Sequence, residues 1–372
     1  MGDPLKILHV VVNMNRGGAE TLIMNLYRNM DRKKVQFDFL TCKEGVFDTE
    51  IREMGGIVHR IPYLTEVGHF GYLRELDRFL EANSGYKIIH SHMDKMSGLV
   101  LRAAKKANVP IRIAHSHNTS SEGTRISKIY KWYAGRHILP NATQLYACSR
   151  SAAEWLYGNK SKNTVVLKNG IEPDGFQYKQ SVRESIRKEL KLDPESFVIG
   201  HVGRFATQKN HQFLLDVFAE VRKNLPNAVL ILAGDGPLKA EISEKAKKLK
   251  IDSDVKILGI REDINILLQA FDIVVFPSLH EGLPVTLIEA QGAGLPCMIS
   301  DKVTREVDME IGLVQSLPLT NLSTWVNAIV ERAQNLKSRK ITRNALSQKG
   351  YDIRKTAALT ETSYLALGSE VI

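Results

Sequence analysis

The stretch KILHVVVNMNRGGAETLIMNLYRNM, residues 6–30, decides how the rest of the chain is read. It opens on a β-rich run, KILHVVV, and then Ala19, Leu22, Ile23, Leu26, Tyr27 and Met30 recur at helical spacing, a stripe suited to packing on a sheet. Strand-like runs followed by helical patterns return at VQFDFL (35–40), GIVHRI (56–61), KIIHS (87–91), IRIAHS (111–116), TQLYACS (143–149) and TVVLKN (164–169), which predicts repeated βα units. A second series runs through FVIGHVGRF (197–205), AVLILAG (228–234), DVKILG (254–259), DIVVFPS (272–278) and PCMIS (296–300). Between the two lies KNGIEPDGFQ (168–177), dense in the turn formers Gly, Pro and Asn. The expectation is an α/β protein of two doubly wound domains, 1–175 and 176–350, with ligands bound in a cleft at the carboxyl ends of both sheets. A last helix is expected within 351–372, carrying Ile353, Ala357, Leu359, Tyr364 and Leu367.

Length and composition agree with this expectation. At 372 residues the chain can hold two domains, and 43% apolar with 25% charged residues excludes collagen-like, low-complexity and disordered classes. The 51 Lys and Arg against 41 Asp and Glu give a net charge of +10, spread along the chain, which favours anionic partners of any kind. Only 7% of residues are aromatic and no basic run interleaves with them, so a nucleic-acid-binding protein, the reading the charge alone would allow, is not expected. Cys42, Cys148 and Cys297 form no C-x-x-C pair and no zinc spacing, which points to a reducing, cytoplasmic setting. No window approaches the roughly 18 apolar residues of a spanning helix, so contact with a membrane would be peripheral, at its inner face.

The segment PSLHEGLPVTLIEAQGAGLPC, 277–297, passes from strand to a helix expected to begin near Pro284, placing Glu281, Gly282 and Leu283 at a helix N-terminus that favours anions. Glu281 and Glu289 would then face one ligand from two elements, and a carboxylate accepts two hydroxyl hydrogen bonds at once, as sugars and riboses require. A capped helix with a solvated glutamate would give the same pattern. In IGHVGRFATQKNH, 199–211, Arg204 offers a planar fork and Lys209 a point charge, together suited to clamp a diphosphate, although residues at such positions are commonly solvated. Glycine turns at Gly17-Gly18 and Gly234-Asp235-Gly236 follow strand ends, where a backbone could approach phosphate or sugar, or simply turn.

Histidines gather at two strand ends, His90 and His92 in IIHSHMD and His115 and His117 in IRIAHSHN. Without a carboxylate pair at ligand spacing, hydrogen bonding to sugar or phosphate ranks above zinc, so no metal is expected. Segment RISKIYKWYAGRH, 125–137, puts Ile126, Ile129, Tyr130 and Tyr133 on one helical face and Arg125, Lys128, Lys131, Trp132 and Arg136 around the other. That basic face with a tryptophan suits an anionic membrane surface, or is a solvated charged face.

Taken in order, GGAE (17–20), the two His-Ser-His strand ends, NGI (169–171), G-R-x4-K (203–209), AGDGP (233–237) and E-x7-E (281–289) resemble the family 4 retaining glycosyltransferases of GT-B fold over nearly the whole chain. MNRGGAETLIMNLYR, AHSHNTS and PSLHEGLPVTLIEAQ resemble more narrowly the enzymes of bacterial exopolysaccharide and capsule synthesis. The resemblance implies two Rossmann-like domains, the first binding acceptor and the second nucleotide-sugar, with the last helix crossing back to the first domain. It implies transfer of a hexose or N-acetylhexosamine, with retention, from a UDP-sugar to a saccharide or lipid-linked saccharide, with no cofactor required. Arg204 and Lys209 would hold the diphosphate, Glu289 the ribose and Glu281 the transferred sugar. Gly282 and Leu283 would bind sugar or phosphate, Gly259 to Arg261 would flank the base, and Gly17, Gly18, Gly203 and Gly234 would complete the donor side. The strand-end histidine of the family falls on His115, with His117 a close alternative, and His92 and His117 would meet the acceptor. Glu172 and Lys168 depart from the linker's usual Asp and Pro. A nucleotide-sugar 2-epimerase of the same shape is the competing enzyme, distinguished by needing no acceptor.

Overall fold

The computed structural model describes residues 3–335, 339 and 345–370. The chain forms two compact units, one of Met1–Gly170 with Gly350–Ile372 and one of Ile171–Lys349.

In the first unit the strands are β1 (Leu5–Val10), β2 (Val35–Thr41), β3 (Val58–Arg60), β4 (Ile88–Ser91), β5 (Ile111–Ser116), β6 (Gln144–Ala147) and β7 (Val165–Val166). They pair in parallel in the order β3-β2-β1-β4-β5-β6-β7. Helices cover both faces, so β2 is buried at every position, its polar Gln36, Asp38 and Thr41 included. Helix Gly18–Arg28 buries Leu22, Ile23, Leu26 and Tyr27 against Phe37 and Phe39 of β2. Helix Ile353–Ser369 joins the same core through Ile353, Ala357 and Tyr364. The start of this last helix fits closely over the NGI turn: a Cβ on Gly170 would lie 2.8 Å from the Ile353 Cα, so the glycine there is a packing requirement.

The second unit contains β8 (Phe197–Val202), β9 (Ala228–Ala233), β10 (Val255–Gly259), β11 (Ile273–Phe276), β12 (Cys297–Ser300) and β13 (Val314–Leu317), parallel in the order β10-β9-β8-β11-β12-β13. Strand β13 lies at the sheet edge and is absent from the sequence reading, because VQSL has two exposed polar residues and no β-rich run. Pro284 is the residue before helix Val285–Gly292, not its first turn. Both sheets reverse strand order once, between β1 and β4 and between β8 and β11. Such switch points open a crevice beyond the strand carboxyl ends, the usual place for a ligand in open α/β sheets. No described helix is long and apolar enough to cross a membrane.

Candidate active site

In the second unit the chain leaves three neighbouring strands through glycines. The Gly203 amide donates to the Ala233 carbonyl at 3.0 Å and the Gly234 amide to the Gly259 carbonyl at 2.7 Å, so the ladder continues past the strand ends. Gly234 has φ +145°, and a Cβ there would sit 2.0 Å from the Gly203 oxygen. The loop that follows closes over the next turn: the Phe205 amide donates to Asp235 at 2.9 Å, and the Phe205 carbonyl accepts from Leu238 at 3.1 Å. Phe205 is fully buried, which anchors the turn and leaves Arg204 exposed beside it. The Arg204 guanidinium makes no hydrogen bond or ion pair with another described residue.

Lys209 lies beneath this turn. Its stem passes over Gly203, where a Cβ would come within 3.1 Å of Lys209 Cε, and its ammonium stands 4.6 Å from the centre of the Phe276 ring. Nζ donates to Glu281 Oε1 at 2.7 Å, and the two side chains are 14% and 8% exposed, so this is a nearly buried ion pair. Two hydrogen bonds pin the Glu281 loop to the Lys209 turn, Leu279 amide to Gln208 carbonyl and Gln208 Nε2 to His280 carbonyl, both 2.8 Å. Thus residues 72 positions apart in sequence meet at the switch point between β8 and β11.

Gly282 and Leu283 are buried in the segment leading to helix Val285–Gly292. Glu289, half-buried on that helix, has its carboxyl pushed up to about 7 by desolvation. A carboxyl raised above its unfolded value of 4.5 lowers stability as pH rises from there through about 7, so ionised Glu289 is held at a stability cost. Arg261 is engaged: it forks onto both carboxylate oxygens of Asp263 at 2.8 and 2.6 Å and reaches Glu189 at 3.2 Å. Beside it, Gly259 has φ +74° and Ile260 is 65% exposed.

At the switch point of the first unit, five imidazoles share one face of the sheet. His9 of β1 stands level with His90 of β4, and His92, His115 and His117 continue the array onto β5. His9 Nδ1 meets His92 Nε2 at 2.9 Å and His92 Nδ1 meets His117 Nε2 at 2.9 Å. In parallel, the Tyr364 hydroxyl meets His90 Nδ1 at 2.6 Å and His90 Nε2 meets His115 Nδ1 at 3.0 Å. The triplets His9, His90, His92 and His92, His115, His117 each bring ligand atoms within 4.8 Å, an arrangement that could hold a divalent cation. Both nitrogens of His90 and His92 are already spent on other side chains, however, which leaves neither triplet three open lone pairs. Burial drives these rings toward the neutral form, His9 and His117 to about 3. His115 is fully enclosed, whereas His117 is half-buried.

Four residues of this region carry no assignment from sequence. His9 looks like an interruption of an apolar run, and Tyr364 like one more core position of the last helix. Glu20 folds back over Gly17, with its carboxyl raised to about 7 by desolvation and by Asp94; Asp94, raised by burial to about 6, accepts the His117 amide at 2.8 Å. Gly17 precedes helix Gly18–Arg28, and a Cβ there would meet Glu20 Oε2 at 2.2 Å, whereas Gly18 has open space around it. The register of β1 against β4 reveals the partners of His9, and the packing of the helices on the sheet those of Tyr364 and Glu20.

On helix Arg125–Gly135 only Ala134 is buried. Ile126, Ile129 and Trp132 are 81%, 65% and 56% exposed, so the isoleucines face outward along with the bases. Phe70, 80% exposed, follows His69, which hydrogen-bonds the Tyr130 hydroxyl of this helix at 2.7 Å.

Residues 16–174 match the model described as Glycosyltransferase Family 4, and residues 182–351 that described as Glycosyl transferases group 1. The putative glycosyltransferase EpsF of Bacillus subtilis (strain 168) is 40% identical over 359 residues, 94% of this chain and 94% of its own length. A UDP-Gal:alpha-D-GlcNAc-diphosphoundecaprenol alpha-1,3-galactosyltransferase of Escherichia coli is 27% identical over 348 residues, 88% of this chain and 87% of its own. Among solved structures, HepE from Anabaena in complex with UDP-glucose aligns with a TM-score of 0.78 at 21% identity, covering 96% of this chain and 99% of its own, a likeness of fold. With two parallel sheets of Rossmann order, a domain model matched on each and a near full-length relative at this identity, the chain belongs to the family 4 glycosyltransferases and has their GT-B fold.

Proposed function

We propose that the protein transfers a hexose or N-acetylhexosamine, with retention, from a UDP-sugar to a saccharide or lipid-linked saccharide in exopolysaccharide or capsule synthesis. The observation that carries this reading is the nearly buried Lys209–Glu281 pair beside the exposed Arg204 at the β8/β11 switch point. Lys209 and Arg204 stabilise the charge that gathers on the departing UDP, the step at which fixed cations act most strongly. Glu281 accepts from hydroxyls of the transferred sugar, Glu289 from the ribose, and the Gly259–Arg261 backbone with Ile260 flanks the base. The acceptor hydroxyl then attacks the anomeric carbon from the face the UDP leaves, its proton passing to the departing diphosphate oxygen as the bond from that carbon to UDP breaks, so no protein nucleophile is required. The E. coli relative, named for a UDP-Gal donor and a diphosphoundecaprenol-linked acceptor, supports the donor and acceptor classes. Incubation with UDP-sugars and an undecaprenyl-diphosphate-linked saccharide tests this reading. Acceptor-dependent product with the donor's anomeric configuration is expected, and release of free or epimerised sugar without acceptor would instead establish the 2-epimerase.

The ribose role makes a pH prediction. Ionised Glu289 accepts from the ribose hydroxyls more strongly than its protonated form does, so affinity for a UDP-sugar, whose diphosphate diester does not titrate near neutrality, should rise as pH climbs through about 7. Calorimetric titration of Glu289→Gln should show affinity weaker by about tenfold at high pH and flat across that range. A wild-type affinity that does not change with pH would remove Glu289 from the ribose.

The exposed helix 125–135 docks the first unit on an anionic bilayer, with Ile126, Ile129 and Trp132 entering the interface and Lys128, Lys131 and Arg136 meeting headgroups. Replacing the three bases by serine should lower sedimentation with anionic liposomes by at least tenfold, at about 1 kcal/mol per base. Equal sedimentation of the triple variant would mean the face is merely solvated.

A further inference from the structure

We infer that His201, on β8, is a positioning residue for Lys209: its Nε2 accepts from the lysine ammonium when the diphosphate of a UDP-sugar draws that ammonium away from Glu281. The inference rests on the proposed function, since it takes Lys209 as the cation that meets the diphosphate. His201 is fully buried, and its Nδ1 lies 2.9 Å from the Val275 carbonyl oxygen. A carbonyl oxygen can only accept, so Nδ1 carries a hydrogen. Burial, with His211 and Lys209 nearby, holds the ring neutral, and a neutral imidazole has one such hydrogen. Nε2 is therefore a lone pair, and it has no partner among the described residues. His211 stands nearly perpendicular to His201, 4.7 Å away between ring centres, but neither of its nitrogens makes a hydrogen bond among the described residues.

Lys209 is the donor within reach of that lone pair. A Cβ on Gly203 would stand 3.1 Å from Lys209 Cε and 3.5 Å from His201 Nε2, so the glycine leaves one small gap bordered by both side chains. The two also share Phe276, with the ammonium 4.6 Å from the ring centre and the imidazole stacked on it at 5.3 Å. Rotation about the last bonds of the lysine stem turns Nζ from Glu281 toward the gap.

The exchange of partners matters electrostatically. A carboxylate oxygen at 2.7 Å offsets much of the charge that Lys209 can offer a diphosphate, whereas a neutral nitrogen satisfies one hydrogen without offsetting it. An ammonium has three hydrogens to give. With one on His201 Nε2, the others remain for diphosphate oxygens, and Glu281 is released to accept from hydroxyls of the transferred sugar. Lys209 is thus held by its carboxylate in the free protein and presents more of its charge once the ligand is in place.

Long-range proton–nitrogen spectra of the full-length protein labelled with 15N-histidine report the ring directly. Without ligand, His201 should be protonated at Nδ1 alone, with the Nε2 signal of a free lone pair. UDP, which carries the diphosphate of every UDP-sugar, should move that signal into the hydrogen-bonded range in the wild-type protein and leave it in place in Lys209→Ala. In transfer assays His201→Asn, whose amide still donates toward Val275 but offers nothing at the Nε2 position, should lose about tenfold in kcat with little change in KM for the UDP-sugar. His201→Gln, which sets an amide oxygen near that position, should recover most of the loss. Added to Lys209→Ala, His201→Asn should cost less than a further twofold or so, about what is expected of a residue that acts through the lysine. Three results would each overturn the inference: a wild-type His201 protonated at Nε2, a wild-type Nε2 signal that bound UDP does not move, or an equal loss from His201→Asn with and without Lys209. The first two need only the wild-type protein. Absence of UDP binding by calorimetry would overturn the donor reading and the inference together, whereas UDP binding with an unmoved signal overturns the inference alone.

Discussion

Arg204→Ala and Lys209→Ala should each lower turnover by about two to three orders of magnitude, the usual loss when one preorganised donor to a developing anion is removed. Their effects on the fold should differ. Arg204 is exposed and its side chain holds nothing together, so its loss should shift stability by no more than about 0.5 kcal/mol. Lys209 neutralises Glu281 at a position where both side chains are almost out of water. Lys209→Ala takes this ion pair away from a carboxylate that is almost out of water, and should therefore unfold more easily, by about 1–3 kcal/mol. The double variant Lys209→Ala, Glu281→Gln removes the carboxylate charge that Lys209 balanced and should recover part of that stability while remaining as inactive as the single variant. Urea unfolding and a transfer assay on the four proteins decide it. Near-normal turnover in both single variants would refute the clamp, and recovery of turnover in the double variant would show that Lys209 serves only to neutralise Glu281.

The second large effect is expected at Gly234, which touches no ligand in any role assigned above to a side chain. Its φ of +145° is one that residues with a Cβ rarely adopt, and the added methyl would lie 2.0 Å from the Gly203 carbonyl oxygen. Relief requires the end of β8 to move away from the end of β9, which carries the Gly203–Phe205 turn with it. Overpacking of this kind costs about 1–3 kcal/mol. The displacement matters more than the stability loss: a shift of about 1 Å in a positioned group can cost a hundredfold in rate. Gly234→Ala should therefore stay folded, with UDP-sugar affinity and turnover both reduced, turnover by about a hundredfold. Gly18, around which a Cβ would meet nothing within 4 Å, provides the control, and Gly18→Ala should be close to wild type in stability. Full UDP-sugar affinity in Gly234→Ala would show that the turn yields without moving Arg204.

What could be read before folding follows from how parallel sheets are buried. A strand covered on both faces tends to be rich in apolar residues, as IVVF of β11 is, and such runs stand out from the helical stripes between them. Edge strand β13, VQSL, escapes the same reading because only Leu317 is buried. Glycines at strand ends are conspicuous in sequence, but their reasons are not: Gly170 makes room for Ile353, Gly234 for the Gly203 carbonyl, and Gly18 for nothing nearby.

The sequence by itself determined the fold class, the ordered set of glycine, basic and acidic residues that marks the family, and the segments from which a donor site can be built. These are properties of local pattern, because hydrophobic period and turn chemistry act over a few residues. Tertiary structure alone decided which of those residues are partners. Lys209 pairs with Glu281, Arg261 is drawn onto Asp263, and Tyr364 reaches His90 across 274 positions of chain. Strand order and parallel register bring these groups together, and hydrogen bonds and ion pairs depend on distances of about 3 Å that no spacing along the chain encodes.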